Sequence, residues 1–311
     1  MKTGFRDIWV AMFWGMILPG ILLNGAVYWK EREKAPPEVP VAIVLRREDG
    51  RLEARNLEDY LVEVVLAEMP ATFEKEALKA QAVAARTYTR KSGITGGKHG
   101  DGSVCTNAGC CQAYITEADY LNRGGTEENL NKVRQAVEET SGYVLTYGGD
   151  LIEAVYFSCS GGRTEDAAAV WGTEYPYLQA VDSPGEEGAA VYWDRVSFSS
   201  EAFQEALGIK LVGEPEAWFG LPVYTEGGGV AELEIGGIPY TGPQLRYQLG
   251  LRSTAFSVET EDDTITITTR GYGHRVGMSQ YGAQAMAKTG SSFADILAHY
   301  YTGAELCREE D

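Results

Sequence analysis

The chain has 311 residues, with 27 Lys and Arg against 45 Asp and Glu, and a formal net charge of −18. A surface this acidic repels nucleic acid and anionic lipid, and no basic stripe with interleaved aromatics offsets it. Residues 41–311 are polar and globular in composition, and long enough to bury one large core or two lobes.

The 22 residues Ile8–Trp29 carry no formal charge. At about 1.5 Å per residue they span roughly 33 Å, enough to cross a hydrocarbon core of about 30 Å. The length of the run, and the weakness of any small-x-small site after it (Asn24-Gly25-Ala26 is the best), favour an uncleaved anchor over a signal peptide. Lys2 and Arg6 on one side and Lys30, Arg32 and Lys34 on the other leave its orientation open. Residues 31–40 mix charges with three prolines, a composition of stiff, solvated linkers. The expected organisation is therefore an N-terminal tip and membrane anchor over 1–30, a linker over 31–40, and a main domain over 41–311. Residues 173–262 are a candidate second lobe.

Val41–Arg46 reads as a strand, closed by an Asp49-Gly50 turn. Asn56 with Asp59 three residues on resembles a capping box before an apolar stripe of Leu57, Leu61, Val64 and Val65. Met69-Pro70 interrupts that helix, because proline disfavours helical backbone in the residue before it. A second helix is expected from an N-cap at Thr72, with Phe73, Ala77, Ala80, Ala84 and Tyr88 on one face. Residues 91–111 are rich in Gly and Cys and read as a loop held by something other than a core. Lys132–Thr140 is a helix candidate, and Tyr143–Tyr147 with Asp150–Phe157 reads as a hairpin about Gly148-Gly149. Ser200–Leu207 is a helix, Thr264–Thr269 a strand, and helices follow over about Ser279–Lys288 and Phe293–Tyr300, the last capped by Ser292 and Asp295.

Several residues could carry chemistry. Glu68 has apolar neighbours in sequence and sits at a helix break. Buried there, its carboxyl would stay protonated and could donate to a leaving oxygen, as glycosidic cleavage requires. A solvated, inert helix end is the alternative. His274 lies in a G-x-G-H loop between a strand and a helix, either facing a ligand or satisfying loop carbonyls. Ser160-Gly161-Gly162 could expose amides or form a plain turn. His99, Cys105, Cys110 and Cys111 suit a tetrahedral zinc, or one disulfide among them. The five cysteines are an odd number, which leaves at least one free or metal-bound. The 18 Tyr and 6 Trp suit sugar stacking or an ordinary β-rich core.

Three stretches carry a resemblance: EVVLAEMPATFEKEALKAQAVAARTYTR (63–90), YFSCSGGRTE (156–165) and GYGHRVGMSQYGAQAMA (271–287). In order and over most of 41–311, they are similar to the stage II sporulation protein D and amidase enhancer family. The resemblance implies a lytic transglycosylase that cuts peptidoglycan between N-acetylmuramic acid and N-acetylglucosamine during forespore engulfment, with Glu68 as its catalytic glutamate. By the same resemblance Lys79, Gln81, Arg86, Tyr88, Gln112, Tyr156, Ser160, Thr164, His274 and Gln280 are substrate-binding positions. The family often has glycine after the histidine, where Arg275 stands here.

Sporulation members hold zinc in a loop like C-x4-H-C-Q. Here Cys105 precedes Cys110-Cys111-Gln112, and Cys110 stands where histidine is common. With His99 these implied ligands point to a structural Zn2+. The implied partners are peptidoglycan strands, stage II sporulation protein P (an amidase/endopeptidase) and protein M (a membrane scaffold). The implied location is the cell membrane, single-pass, with the catalytic domain outside the cytoplasm. The expected fold is α+β, with helices packed on antiparallel strands and two lobes bordering a glycan groove. The enhancer branch supplies a rival reading, a noncatalytic glycan-binding protein that stimulates an amidase. A zinc hydrolase using the cysteine cluster is a third.

Overall fold

The computed structural model describes residues 42–309, so the apolar N-terminal run and the linker lie outside the described residues. Among the described residues no helix is long and apolar enough to cross a membrane. The fold is a mixture of α-helices and small β-sheets.

β1 (Ala42–Arg46) and β2 (Leu52–Asn56) form an antiparallel hairpin. Asn56 then caps α1 (Leu57–Glu68), its side chain accepting from the Glu58 and Asp59 amides at 2.8 and 3.1 Å. Leu61, Val64 and Val65 are fully buried, each contributing about 1.5–3 kcal/mol of transfer free energy. Met69 is extended (φ −131°, ψ 138°), as the residue before Pro70 must be. Glu68 is thereby the last helical residue.

The next helix starts later than its sequence predicts. α2 (Lys75–Thr95) has Glu74, not Thr72, at its N-cap, and Glu74 makes no side-chain cap. Phe73 N–H closes a turn on the Pro70 carbonyl (2.9 Å), and the Glu74 amide donates to Gln284 Oε1 at 2.6 Å. A side chain 210 residues away thus replaces the local cap. α2 ends at Gly96, whose φ of 85° is left-handed.

β3 (Val104–Cys105) joins β1 in parallel. α3 (Glu117–Asn122) follows, then α4 (Glu127–Glu139). α4 begins five residues before the expected Lys132, because the Thr126 side chain caps the Asn129 amide (3.2 Å). β4 (Tyr143–Tyr147) and β5 (Asp150–Leu151) make only a short hairpin. The chain then leaves it, and β6 (Tyr156–Phe157) pairs elsewhere.

After α5 (Ala167–Trp171) a separate apolar cluster forms. It gathers β7 (Trp193–Ser199), α6 (Ser200–Leu207), the edge strand β8 (Val223–Tyr224), β9 (Val230–Ile235), β10 (Ile238–Thr241), α7 (Gly242–Gln248), β11 (Ala255–Glu261) and β12 (Thr264–Arg270). Phe203, Trp218, Leu233, Leu245 and Ile265 fill its centre. The chain then returns as β13 (Met278–Ser279), α8 (Gln280–Lys288), α9 (Phe293–Tyr300) and β14 (Glu305–Arg308), which pairs with β4. The larger cluster packs α8 and α9 with α1, α2 and α4, through Leu61, Leu78, Val133, Ala283 and Ile296 among others.

Most strand pairs are antiparallel, as expected. The β1–β3 and β6–β13 pairs are parallel, and they are the two that assemble the site. β13 lies beside β6 with Met278 opposite Tyr156, so the whole smaller cluster is a long crossover between two short strands.

A buried ion pair locks that junction. Arg275 Nη1 lies 2.9 Å from Glu165 Oε1, with both side chains 1% exposed. Arg275 also donates to the carbonyls of Ser160 (2.7 Å), Arg163 (2.8 Å) and Gly227 (2.7 Å). Its φ of 66° is left-handed, the region that glycine enters at least cost. Arginine holds it because its guanidinium is fully bonded. Glu165→Gln leaves that guanidinium buried without its carboxylate and should lower unfolding free energy by about 3–5 kcal/mol. Urea titration reads this directly, and a loss under 1 kcal/mol would show the pair to be dispensable.

Candidate active site around Glu68

Glu68 ends α1 with its carboxyl turned toward three other chain segments. Oε1 accepts from the Ala113 amide at 2.6 Å, and Oε2 from Gln280 Nε2 at 3.3 Å. The Tyr156 hydroxyl also reaches the carboxyl. Burial pushes the Glu68 pKa above the usual carboxylate range, and the bonds from Ala113 and Gln280 oppose this less strongly. The negative end of the α1 dipole acts in the same direction as burial. Among the described residues no cation is one of its hydrogen-bond partners. The contrast is Glu63, one turn and a half earlier, which is buried against Arg55 (2.7 Å) and the Tyr114 hydroxyl (2.7 Å).

The hydrogen-bond chain behind Tyr156 explains where a proton on Glu68 can rest. Thr89 gives its hydroxyl hydrogen to the Ala85 carbonyl (2.8 Å), so towards Gln112 it can only accept. Gln112 Nε2 therefore points at Thr89 (2.9 Å) and Tyr60 (3.1 Å), and its Oε1 accepts the Tyr156 hydrogen at 2.8 Å. Tyr156 has spent its one hydrogen, and its oxygen is left as an acceptor towards Glu68. Gln280 Nε2 lies 3.4 Å from Gln81 Oε1, while Gln81 Nε2 is buried with no partner among the described residues. A buried donor left without a partner costs about 1–3 kcal/mol.

His274 joins from behind. Its Nδ1 accepts from the Val276 amide at 3.1 Å, and the ring also meets the Tyr156 carbonyl. Phe157 and Trp171 flank it, with centroids at 5.5 and 5.3 Å. Although part of the ring reaches the surface, burial first, and then the Arg246 and Lys98 charges, lower its pKa to about 4. It is neutral at physiological pH and positions the strand that carries Tyr156.

Of the residues expected at the site, Glu68, Gln81, Gln112, Tyr156 and Gln280 form one bonded network, and His274 abuts it. Tyr88 lies beside Cys111, and burial raises its phenol's pKa. Four other residues point elsewhere. Lys79 pairs with Glu76 (2.9 Å) and Glu139 (2.7 Å). Arg86 is buried against Glu58 (2.6 Å) and the Tyr143 and Val137 carbonyls. Residues 79 and 86 share one face of α2, and 81 and 88 another, since positions two apart on a helix differ by about 200° and positions seven apart nearly coincide. Ser160 gives its amide and hydroxyl to the buried Glu186 (2.8 and 2.9 Å), and the Gly161 amide joins it (3.1 Å). These amides already hold an internal anion rather than face outward. Thr164 bonds the Gln179 and Val181 carbonyls. Sequence reasoning missed the Ala113 amide, because a main-chain donor leaves no side-chain signal. It also missed Tyr60 and Thr89, which only orient Gln112.

The cysteine loop abuts the same network. The ligand atoms of His99, Cys105, Cys110 and Cys111 all lie within 4.8 Å of one another. His99 Nε2 is 3.8 Å from Cys110 Sγ and 3.6 Å from Cys111 Sγ, and the two sulfurs are 4.0 Å apart. Ligands on a tetrahedral zinc, with bonds of about 2.3 Å to sulfur and 2.0 Å to nitrogen, stand roughly 3.5–3.8 Å from each other. The donor set fits. The adjacent cysteines can both face inward because their amides bond the Asn107 carbonyl in one tight turn, both at 2.9 Å. Burial pushes the Cys105 thiol up, but the Asn107 amide and bonds with His99, Cys110 and Cys111 outweigh it and leave its pKa lowered to about 7. No cysteine among the described residues is in a disulfide. Cys111, Gln112 and Ala113 are consecutive, so the cluster fixes the segment that touches Glu68.

A family model described as Stage II sporulation protein matches residues 48–147, which include Glu68 and the cysteine loop. The stage II sporulation protein D of Bacillus subtilis (strain 168) is 42% identical over 272 residues, covering 86% of this chain and 79% of that protein. The stage II sporulation protein D of Bacillus amyloliquefaciens is 39% identical over 282 residues, covering 89% and 82%. The amidase enhancer of Bacillus subtilis (strain 168) is 29% identical over 302 residues, covering 78% of this chain and 39% of that protein. Taken with the shared geometry of its three motifs at one carboxyl, this similarity means that the chain belongs to the stage II sporulation protein D family.

Proposed function

We propose that this chain is a membrane-anchored peptidoglycan lytic transglycosylase that cleaves the β-1,4 bond between N-acetylmuramic acid and N-acetylglucosamine in forespore engulfment. The observation that carries the reading is a single desolvated carboxyl whose bonding partners are all neutral: an amide N–H, a glutamine and a phenol. A hydrolase that inverts needs a second carboxylate to activate water. A transglycosylase needs one group that is acid first and base second.

Glu68 supports both states. While protonated, Oε1 is held by the Ala113 amide and the proton rests on the other oxygen, directed at the neutral Tyr156 oxygen. The proton passes to the glycosidic oxygen as the C1–O bond breaks. The carboxylate so formed keeps the Ala113 and Gln280 donors, which stabilise its charge. It then takes the proton of the muramyl C6 hydroxyl while that oxygen attacks C1 and closes a 1,6-anhydro ring. No water enters, and Glu68 ends protonated. Attack from within the same sugar gains from proximity.

His99, Cys105, Cys110 and Cys111 would hold a structural Zn2+, which would supply rigidity to residues 105–113. On this reading the apolar run Ile8–Trp29 is the anchor, and stage II sporulation proteins P and M are the partners at the membrane. Digestion of purified glycan strands tests the activity. Anhydro-ended products, one water lighter than hydrolysed ends, support it; reducing ends or uncut strands refute it. The similarity to an amidase enhancer favours one rival, glycan binding that stimulates an amidase without turnover.

The pH dependence has a fixed sign. Glu68 must be protonated to donate, and its pKa is raised, so activity is full below that pKa and falls as pH rises through it. His274, at about 4, stays neutral over this range. A rate profile flat to high pH would contradict the assignment.

A further inference from the structure

Gln112 joins three hydroxyls, and its two ends differ in kind. Nε2 only donates and Oε1 only accepts, so the end that faces Tyr156 decides what Tyr156 offers to Glu68. Thr89, Gln112 and Tyr60 are 3%, 2% and 0% exposed, so the choice falls to protein groups. Tyr60 is indifferent to it. Among the described residues its hydroxyl donates to no acceptor, so it can take a bond from Nε2, as it does at 3.1 Å, or give one to Oε1. Thr89 is not indifferent. It lies on α2 one turn beyond Ala85, whose carbonyl holds its hydroxyl hydrogen at 2.8 Å. Its oxygen is left to accept from Gln112 Nε2 at 2.9 Å. One hydroxyl on α2 thus turns the amide, and the amide turns the phenol that meets the carboxyl.

We propose that Thr89 is a positioning residue that holds Tyr156 as a hydrogen-bond acceptor, rather than a donor, towards Glu68. The proposal rests on the reading of Glu68 as the acid of a glycan-cleaving enzyme. A phenol that gave its hydrogen to Glu68 would stabilise the carboxylate, and the acid would ionise before the glycosidic oxygen arrived. A phenol that keeps its hydrogen on Gln112 Oε1 (2.8 Å) accepts from the protonated acid instead. When Glu68 gives its proton away, the Tyr156 hydrogen cannot follow without breaking the Gln112 bond. Glu68 is then the stronger base for the C6 hydroxyl. Around its carboxyl stand the Ala113 amide, Gln280 and this phenol. The titratable groups around the phenol are Glu68 and Tyr60 on α1, Tyr88 on α2 and Tyr301 after α9, none of them a cation. Burial first, and then the Glu68 charge, push the Tyr156 pKa well up, so the phenol keeps its hydrogen.

Infrared difference spectra of the full chain in detergent micelles test this, because the protonated Glu68 carboxyl gives a band that Glu68→Gln lacks. The pH at which half of that band is lost reports the ionisation of Glu68 without any substrate. Thr89→Val keeps the shape but loses the acceptor. Gln112 is then free to turn Nε2 to Tyr156, and the Tyr156 hydrogen turns to Glu68. The midpoint should fall by about one pH unit, and the alkaline limb of strand cleavage should move with it. Thr89→Ser keeps the hydroxyl and should keep the parent midpoint. Should Thr89→Val not fold, Gln112→Leu removes the Tyr156 acceptor directly and should give the same fall. In a Tyr156→Phe background Thr89→Val should move nothing. An unchanged midpoint in the folded variant, or a fall that persists without the phenol hydroxyl, overturns the proposal. If the midpoints shift as stated while the parent chain cuts no strand, the role of Thr89 stands and the glycan reading fails.

Discussion

Glu68→Gln should reduce strand cleavage by about a thousandfold or more, since one group performs both proton transfers. The substitution keeps the shape and the Ala113 contact but cannot donate to the leaving oxygen. Glu68→Asp withdraws the carboxyl by one methylene and should lose about a hundredfold. Stability should move the other way. A carboxyl with a raised folded pKa contributes most below its unfolded pKa, and that contribution disappears as pH rises through the folded value. Glu68→Gln should therefore match the parent in acid and exceed it at alkaline pH. Parallel rate measurements and thermal melts across pH separate the two effects. A variant that keeps full rate, or one that is less stable than the parent at alkaline pH, would remove Glu68 from the acid's role.

Removing the metal, or introducing Cys110→Ser with Cys111→Ser, should lower cleavage by about a hundredfold while leaving the helical core folded. The reason is positional. Cys111, Gln112 and Ala113 are consecutive, so loosening the cluster releases both the Ala113 amide from Glu68 and Gln112 from Tyr156. The larger apolar cluster is built on α1, α2, α4, α8 and α9 and takes from the loop only Val104 and, at its edge, Cys111. Amide exchange should rise over residues 97–113 and remain slow in α1 and α2. Lost turnover with the loop still protected would assign the metal to the reaction itself. No change in either measurement would mean that the four side chains hold no metal.

Much of the local structure was legible from the chain. The caps at Asn56 and Ser292, the stop at Met69-Pro70, and the span Ser200–Leu207 follow from residue chemistry within a few positions. Glu68 stood out for the same reason: a carboxylate at a helix break, between apolar neighbours. Elements with distant partners were less legible. The start of α2 depends on Gln284, and the strand after β5 breaks away to pair with β13. Neither leaves a local pattern, because their partners lie more than a hundred residues away.

The sequence by itself determined which groups exist to do chemistry: one acid at a helix end, a glycine-rich turn bearing a histidine, and a cluster of thiols. It did so because caps, prolines and apolar periodicity act over only a few residues. Only the tertiary structure decided which of them meet. The parallel β6–β13 pair brings Gln280 and Tyr156 to Glu68, the Arg275–Glu165 bond locks that junction, and the same packing turns Arg86 and Ser160 inward to other partners. Hydrogen-bond satisfaction in a buried interior is settled by the whole fold, and it is what gives Glu68 its neutral surroundings.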